Sequence, residues 1–138
     1  MSERALRGIL YFLAAYHLAT GLLALVAPGT FFEEIGNYAP ENLHYVGDVG
    51  AFQLAAGFGL LMAAKRPSWR VPMLMVGAVW YGAHAINHAF DTDEARSDAR
   101  GIFDTLALAF AALGSLYLAR VADRFQRAAG DSSRAATG

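Results

Sequence analysis

The fold is decided by residues 8–32, GILYFLAAYHLATGLLALVAPGTFF, a run that contains no Asp, Glu, Lys or Arg. About 20 helical residues cross the ~30 Å hydrocarbon layer of a bilayer. This run meets that length and then meets Pro28-Gly29, a strong stop for a helix. Arg4 and Arg7 precede it, as they would precede the apolar region of a signal peptide. The run exceeds the usual length of roughly 7–15 residues for such a region, and more apolar segments follow. A retained first membrane span is therefore expected.

Working outward, three further stretches repeat the pattern. Val49–Ala64 and Val71–Phe90 carry none of the four charged types, and Gly101–Ala119 carries only Asp104. The second stretch reaches spanning length when Leu43–Asp48 is added at its start. The expected fold is all-α, a four-helix transmembrane bundle over residues 1–127 with spans at about 6–27, 43–64, 71–90 and 101–120. A disordered polar tail is expected over 128–138.

Composition agrees with this. The chain has 138 residues, 56% hydrophobic and 17% charged, against about 25% charged in soluble domains. That length makes one domain, and so thin a charged shell would cover it poorly in water. The net charge of −1 excludes a nucleic-acid binder, which needs a concentrated basic face. With no cysteine, disulfides, thiolate metal sites and thiol catalysis are excluded.

The segments between spans carry their own signals. Ser2 is placed to cap the first helix, with Glu3 in its first turn. Thr30–Tyr45 mixes aromatic residues with Glu33, Glu34 and Glu41, which suits a loop or short helix at the membrane interface. Pro40 is placed to open the second helix. Gly47, Gly50, Gly57 and Gly59 within that helix, like Ala107-x-x-x-Ala111 in the fourth, read as close-contact surfaces, inside the fold or in a homo-oligomer. Ser68 is the expected cap of the third helix. Nine of the eleven Lys and Arg fall on one side of the four spans, the side of the two ends and of the 65–70 turn; only Arg96 and Arg100 fall on the other. The positive-inside rule makes the richer side cytoplasmic, giving a multi-pass protein of the bacterial plasma membrane with both ends inside.

This topology gathers the polar residues in the middle and outer half of the bilayer. His17 lies mid-way along the first span. Asp48 and Gln53 lie on the second, and Asp104 one turn into the fourth. On the third, His84 and His88 are four apart and Asp91 three further on, so the stripe shares a helical face with Tyr81, beside Asn87. A charge exposed to hydrocarbon costs about 2.5–3.5 kcal/mol, so the stripe is expected to face the interior as an outward-opening polar pocket. Three readings stand for it. His84 and His88, with Asp91 or Asp104, offer ligands for a metal or haem. A quinone or similar lipophilic molecule would find hydrogen-bond partners and aromatic walls. The groups would also serve simply to hydrogen-bond helices in register. Phosphate-binding glycine loops, nucleophile elbows and internal repeats are absent from the sequence.

The stretch Asp48-Val49-Gly50-Ala51-Phe52-Gln53-Leu54-Ala55-Ala56-Gly57-Phe58-Gly59-Leu60-Leu61, with Gly21-x-x-Ala24-Leu25-x-x-Pro28 before it, resembles the small DoxX-like bacterial membrane proteins over most of residues 5–120. That group implies four spans and an association with quinol oxidation in a respiratory membrane complex, and supplies no catalytic residue. The expected role is a non-catalytic or accessory membrane component with a polar His/Asp pocket. A quinone- or metal-binding redox subunit and a proton-coupled transporter are the alternatives.

Overall fold

The computed structural model describes residues 1–36, 38 and 40–135, and its secondary structure is helical. The α-helices are α1 (Glu3–Val26), the single turn α2 (Pro28–Phe31), α3 (Leu43–Lys65), α4 (Arg70–Phe90) and α5 (Asp98–Ala135). A π-helical turn covers Phe32–Gly36, and 3-10 turns cover Pro67–Trp69 and Thr92–Glu94. Among the described residues the extended structure is one antiparallel bridge between Tyr38 and Ala95. Three helices, α1, α3 and α5, are long and apolar enough to cross a membrane.

Local chemistry sets the ends. Ser2 caps α1, its hydroxyl accepting from the Ala5 amide at 3.2 Å. Pro28 removes the next amide donor and restarts the chain as α2. Asn42, not Pro40, opens α3: its side-chain carbonyl accepts from His44 N at 3.1 Å and Tyr45 N at 3.3 Å. Ser68 does not cap α4, because Pro67 first forms a 3-10 turn and α4 begins behind Trp69 without a side-chain cap. Where a polar disordered tail was expected, α5 stays helical from Ala128 to Ala135. The run holds Ala128, Ala129 and Ala135, Arg127 just before it pairs with Asp123 at 2.9 Å, and the Ser132 hydroxyl donates to the Ala128 carbonyl at 2.9 Å. Residues 136–138 lie outside the described residues.

The long helices pack as two antiparallel pairs, α1 with α3 and α4 with α5. Glycine makes the first pair possible. A Cβ added at Gly21 would lie 2.8 Å from Leu54 N and 2.9 Å from Gly50 O, and one at Gly57 would lie 2.9 Å from Leu18 N. Three of the four glycines expected to form a contact surface in α3 are used inside the chain, Gly50 and Gly57 against α1 and Gly59 against Met73 of α4, whereas a Cβ at Gly47 would meet nothing within 4 Å.

The larger buried apolar contact between the two pairs lies toward one end. Leu6, Leu10 and Ala14 of α1, Leu60, Ala63 and Ala64 of α3, Leu74 of α4 and Leu118, Ala119 and Ala122 of α5 form a single buried core there. Arg70 is buried beside it. Its Nε donates to the Ala63 carbonyl at 3.3 Å, and both terminal nitrogens reach Glu3 Oε1 at 3.2 Å, tying α4 to α3 and to the start of α1. Gln126 of α5 donates to the Pro67 carbonyl. At the other end a small cluster of Ala24, Phe31 and Val46 joins α1, α2 and α3, and the helix pairs stand apart around a cavity. Outside, the helices present apolar side chains such as Phe12 (71% exposed), Val79 (69%) and Phe110 (78%). So broad an apolar surface is foreign to water-soluble monomers.

Candidate binding cavity

The gap between the helix pairs is a cavity of about 740 Å³, with walls from all four long helices and from Phe31, Phe32, Ile35 and Tyr38. Ligand sites commonly fall between about 300 and 1,000 Å³.

Its floor is built from three helices. His17 of α1 is almost wholly buried. Its Nδ1 faces Gln53 Oε1 of α3, and its Nε2 lies 2.6 Å from the Tyr81 hydroxyl of α4. Both ring nitrogens are thus occupied by partners from other helices. Among the described residues no buried side-chain nitrogen or oxygen lacks a hydrogen-bond partner. Beneath the floor lies a second, apolar void of about 30 Å³ between Leu13, Leu60, Met73 and Leu74.

One wall is a column of rings. Phe52 of α3 packs on Trp80 with centroids 4.0 Å apart, and Trp80 stacks on His84 at 5.0 Å with the planes 12° apart. His84 meets His88 edge-on at 4.5 Å, and His88 meets Tyr38 at 4.3 Å. The column is closed at the top by a 2.7 Å hydrogen bond between His88 Nδ1 and the Tyr38 hydroxyl. The i, i+4, i+8 spacing of Trp80, His84 and His88 puts the three on one face of α4. Burial, and next the Asp104 carboxylate, hold the Tyr38 phenol above its ordinary pKa, so it stays protonated as a donor.

The rim is polar. Arg100 Nε donates to Asp104 Oδ2 at 2.7 Å, and its Nη2 donates to the Ile35 carbonyl at 3.3 Å, which fastens the π-helical turn to α5. Asn87 donates to Asp91 Oδ2 at 3.0 Å, and Glu94 completes the lining on that side.

Of the residues singled out in the sequence, His17, Gln53, Tyr81, His84, Asn87, His88, Asp91 and Asp104 line this cavity. Asp48 does not. The α3 residues on the cavity are Tyr45, Val49 and Gln53, spaced by four, with Val46 beside them. Asp48 sits about 100° round the helix from Val49, exposed and 3.7 Å from the exposed His44 ring. For a metal shell, His84 and His88 are adjacent, but the described residues contain no group of three or more His, Cys, Asp or Glu placed to hold an ion. Sequence reasoning missed Tyr38, Trp80 and Arg100 as site residues. For Trp80 the signal was present, since it lies four residues before His84 on the polar stripe.

Charge is sharply divided between the two ends. The cavity end carries Glu33, Glu34, Glu41, Asp48, Asp91, Asp93, Glu94, Asp98 and Asp104 against Arg96 and Arg100, a net −7. The packed end holds the remaining nine basic residues against Glu3, Asp123 and Asp131, a net +6; together they give the −1 of the whole chain. The chain matches no protein-family model, no curated protein and no solved structure.

Proposed function

We propose that this is a four-span protein of the bacterial plasma membrane, with both ends in the cytoplasm, that binds a small amphiphilic molecule in a cavity opening to the outer face, as a non-catalytic or accessory component. The observation that carries the reading is the cavity itself: a ligand-sized space with a hydrogen-bonded His17–Gln53–Tyr81 floor, an aromatic wall and a polar rim. Such a lining suits a molecule with an apolar body and a few polar atoms.

Four crossings are supported by α4, whose 21 residues extend about 31 Å at 1.5 Å each, the thickness of the hydrocarbon layer. Its histidines His84 and His88 line the cavity, so α4 reads as less apolar than its neighbours while remaining able to span. The +6 packed end supports a cytoplasmic placement for both ends. The DoxX-like pattern of the second span makes a quinone one of the first ligands to try.

The test is to purify the protein into nanodiscs from its own membranes and identify released small molecules by mass spectrometry, beside a Val49→Trp variant that fills the cavity. A molecule bound near one per chain and lost in the variant supports the reading. A parent that carries nothing, and that binds none of a panel of amphiphiles, overturns it.

A further inference from the structure

Two features of the cavity bear on which molecules it takes. The first is the lining: Tyr16, Tyr38, Tyr45, Trp80, Tyr81 and Phe103 present aromatic rings to one space. The face of an aromatic ring carries negative potential and attracts a cation within about 6 Å. The second is charge. Asp91, Glu94 and Asp104 line the cavity, Arg100 is the one cationic side chain among its lining residues, and Arg100 is bonded to Asp104. Asp91 and Glu94 thus leave a net negative rim, set within an end of the molecule that carries −7. A cleft of one sign with low-dielectric walls focuses the field and concentrates counter-ions.

From these two features together we infer that the occupant is a lipophilic organic cation, a molecule with one positive charge on a bulky apolar body. The inference rests on the binding role proposed above and specifies its ligand class. The rim draws the charge in, and the rings hold it once water is shed. An anion of the same shape meets a repelling rim and negative ring faces. A neutral molecule gains from burial alone. A small hydrated cation such as sodium gains little, since the walls offer rings rather than a cage of oxygens.

Trp80 gives a direct readout. The chain has two tryptophans, and Trp69 lies in the turn at the packed end, so a Trp69→Phe variant reports on the cavity through Trp80. That variant, in nanodiscs of zwitterionic lipid, is titrated with tetraphenylphosphonium, with tetraphenylborate and with neutral triphenylphosphine oxide, using empty nanodiscs to subtract partitioning. The expected result is saturable quenching by the cation, weaker for the neutral compound and absent for the anion. Asp91→Asn with Glu94→Gln, both on the rim and outside the packed core, weakens cation binding by about tenfold and neutral binding by much less. Raising salt on the unmutated rim weakens the cation in the same direction, which checks the idea without relying on a variant's folding. Neutral or anionic probes that bind as tightly as the cation overturn the inference and leave the binding role standing. Saturable binding by none of the three overturns the inference, and the binding role then falls too if the purified parent carries no molecule and binds none of the amphiphile panel.

Discussion

Adding a single methyl group to Gly21 tests the pairing of α1 with α3, on which the cavity floor depends. In Gly21→Ala the new carbon meets Leu54 N at 2.8 Å, Gly50 O at 2.9 Å and Gln53 Cβ at 3.0 Å. Comfortable contact is about 3.5–4.0 Å. The first two obstacles are backbone atoms of α3 and have no rotamer to adopt, so the helices must part by some 0.5–1 Å. Overpacking of this kind costs about 1–3 kcal/mol. Alanine's helical preference over glycine returns up to about 1 kcal/mol, leaving a net loss of up to about 2 kcal/mol. Gly47 has open space around it, so Gly47→Ala gains up to that ~1 kcal/mol of propensity and loses nothing. At Gly59 the obstacle is the flexible tip of Met73, which places Gly59→Ala between the two. Reversible unfolding in mixed micelles, followed by circular dichroism, should rank the variants Gly47→Ala, Gly59→Ala, Gly21→Ala from most to least stable. A Gly21→Ala protein as stable as Gly47→Ala would refute the close pairing. Since Gln53 is one of the α3 contacts, parting the helices also draws Gln53 away from His17, and ligand binding should weaken along with stability.

Other consequences are as direct. Tyr81→Phe removes the partner of His17 Nε2 and should cost about 1–3 kcal/mol by leaving a buried nitrogen unpaired; no change in the unfolding midpoint would mean that water replaces the hydroxyl. Arg70→Lys should destabilise by about 1–2 kcal/mol, because one ammonium cannot span the Ala63 carbonyl and Glu3 as the guanidinium fork does. The native chain lacks cysteine, so single cysteines at Ser2, Ser68 and Asp93 report topology without background. A membrane-impermeant maleimide added to intact cells should label Asp93→Cys and spare the other two, and the reverse pattern would invert the orientation. The Tyr38 phenol has its pKa raised by folding, so its contribution is complete below the unfolded value near 10 and is lost as pH rises through the higher folded value. Comparison of alkaline unfolding in the parent and in Tyr38→Phe should show a difference below pH ~10 that narrows above it; a constant difference would contradict the His88–Tyr38 bond.

The helical class and the polar stripe were legible because both are local. Charge-free runs announce long helices, and residues four apart on one helix share a face whatever surrounds them, as Trp80, His84 and His88 do. His17 was legible because a histidine midway along an apolar helix needs a partner. Which partners it found depended on how three helices are rotated against one another, and no single helix encodes that. Asp48 shows the limit on a smaller scale: a carboxylate near the cavity end belongs to the lining only if its helix is turned the right way, and the glycines that seat α3 on α1 turn Val49 and Gln53 inward instead. Tyr38 and Arg100 were beyond reach for a different reason. They meet His88 and Ile35 through contacts 50 and 65 residues apart in the chain, set by how the segment after α2 folds back. The end of α5 was misjudged from polarity alone, although its three alanines favour helix and α5 continues unbroken into it.

The arrangement of two helix pairs, clamped by a dense core at one end and spread at the other, makes the molecule a pair of tongs. The leucines and alanines around Leu10 and Leu74 serve as the pivot, and the arms extend from it to either side of the cavity. A small angular change at the pivot becomes a larger displacement at the tips, so the width of the mouth answers to whatever presses on the arms. The hydrogen bonds of His17 with Tyr81, His88 with Tyr38 and Arg100 with Ile35 limit how far the arms part, so loss of any of them registers as a wider mouth while the core that carries most of the packing stays intact.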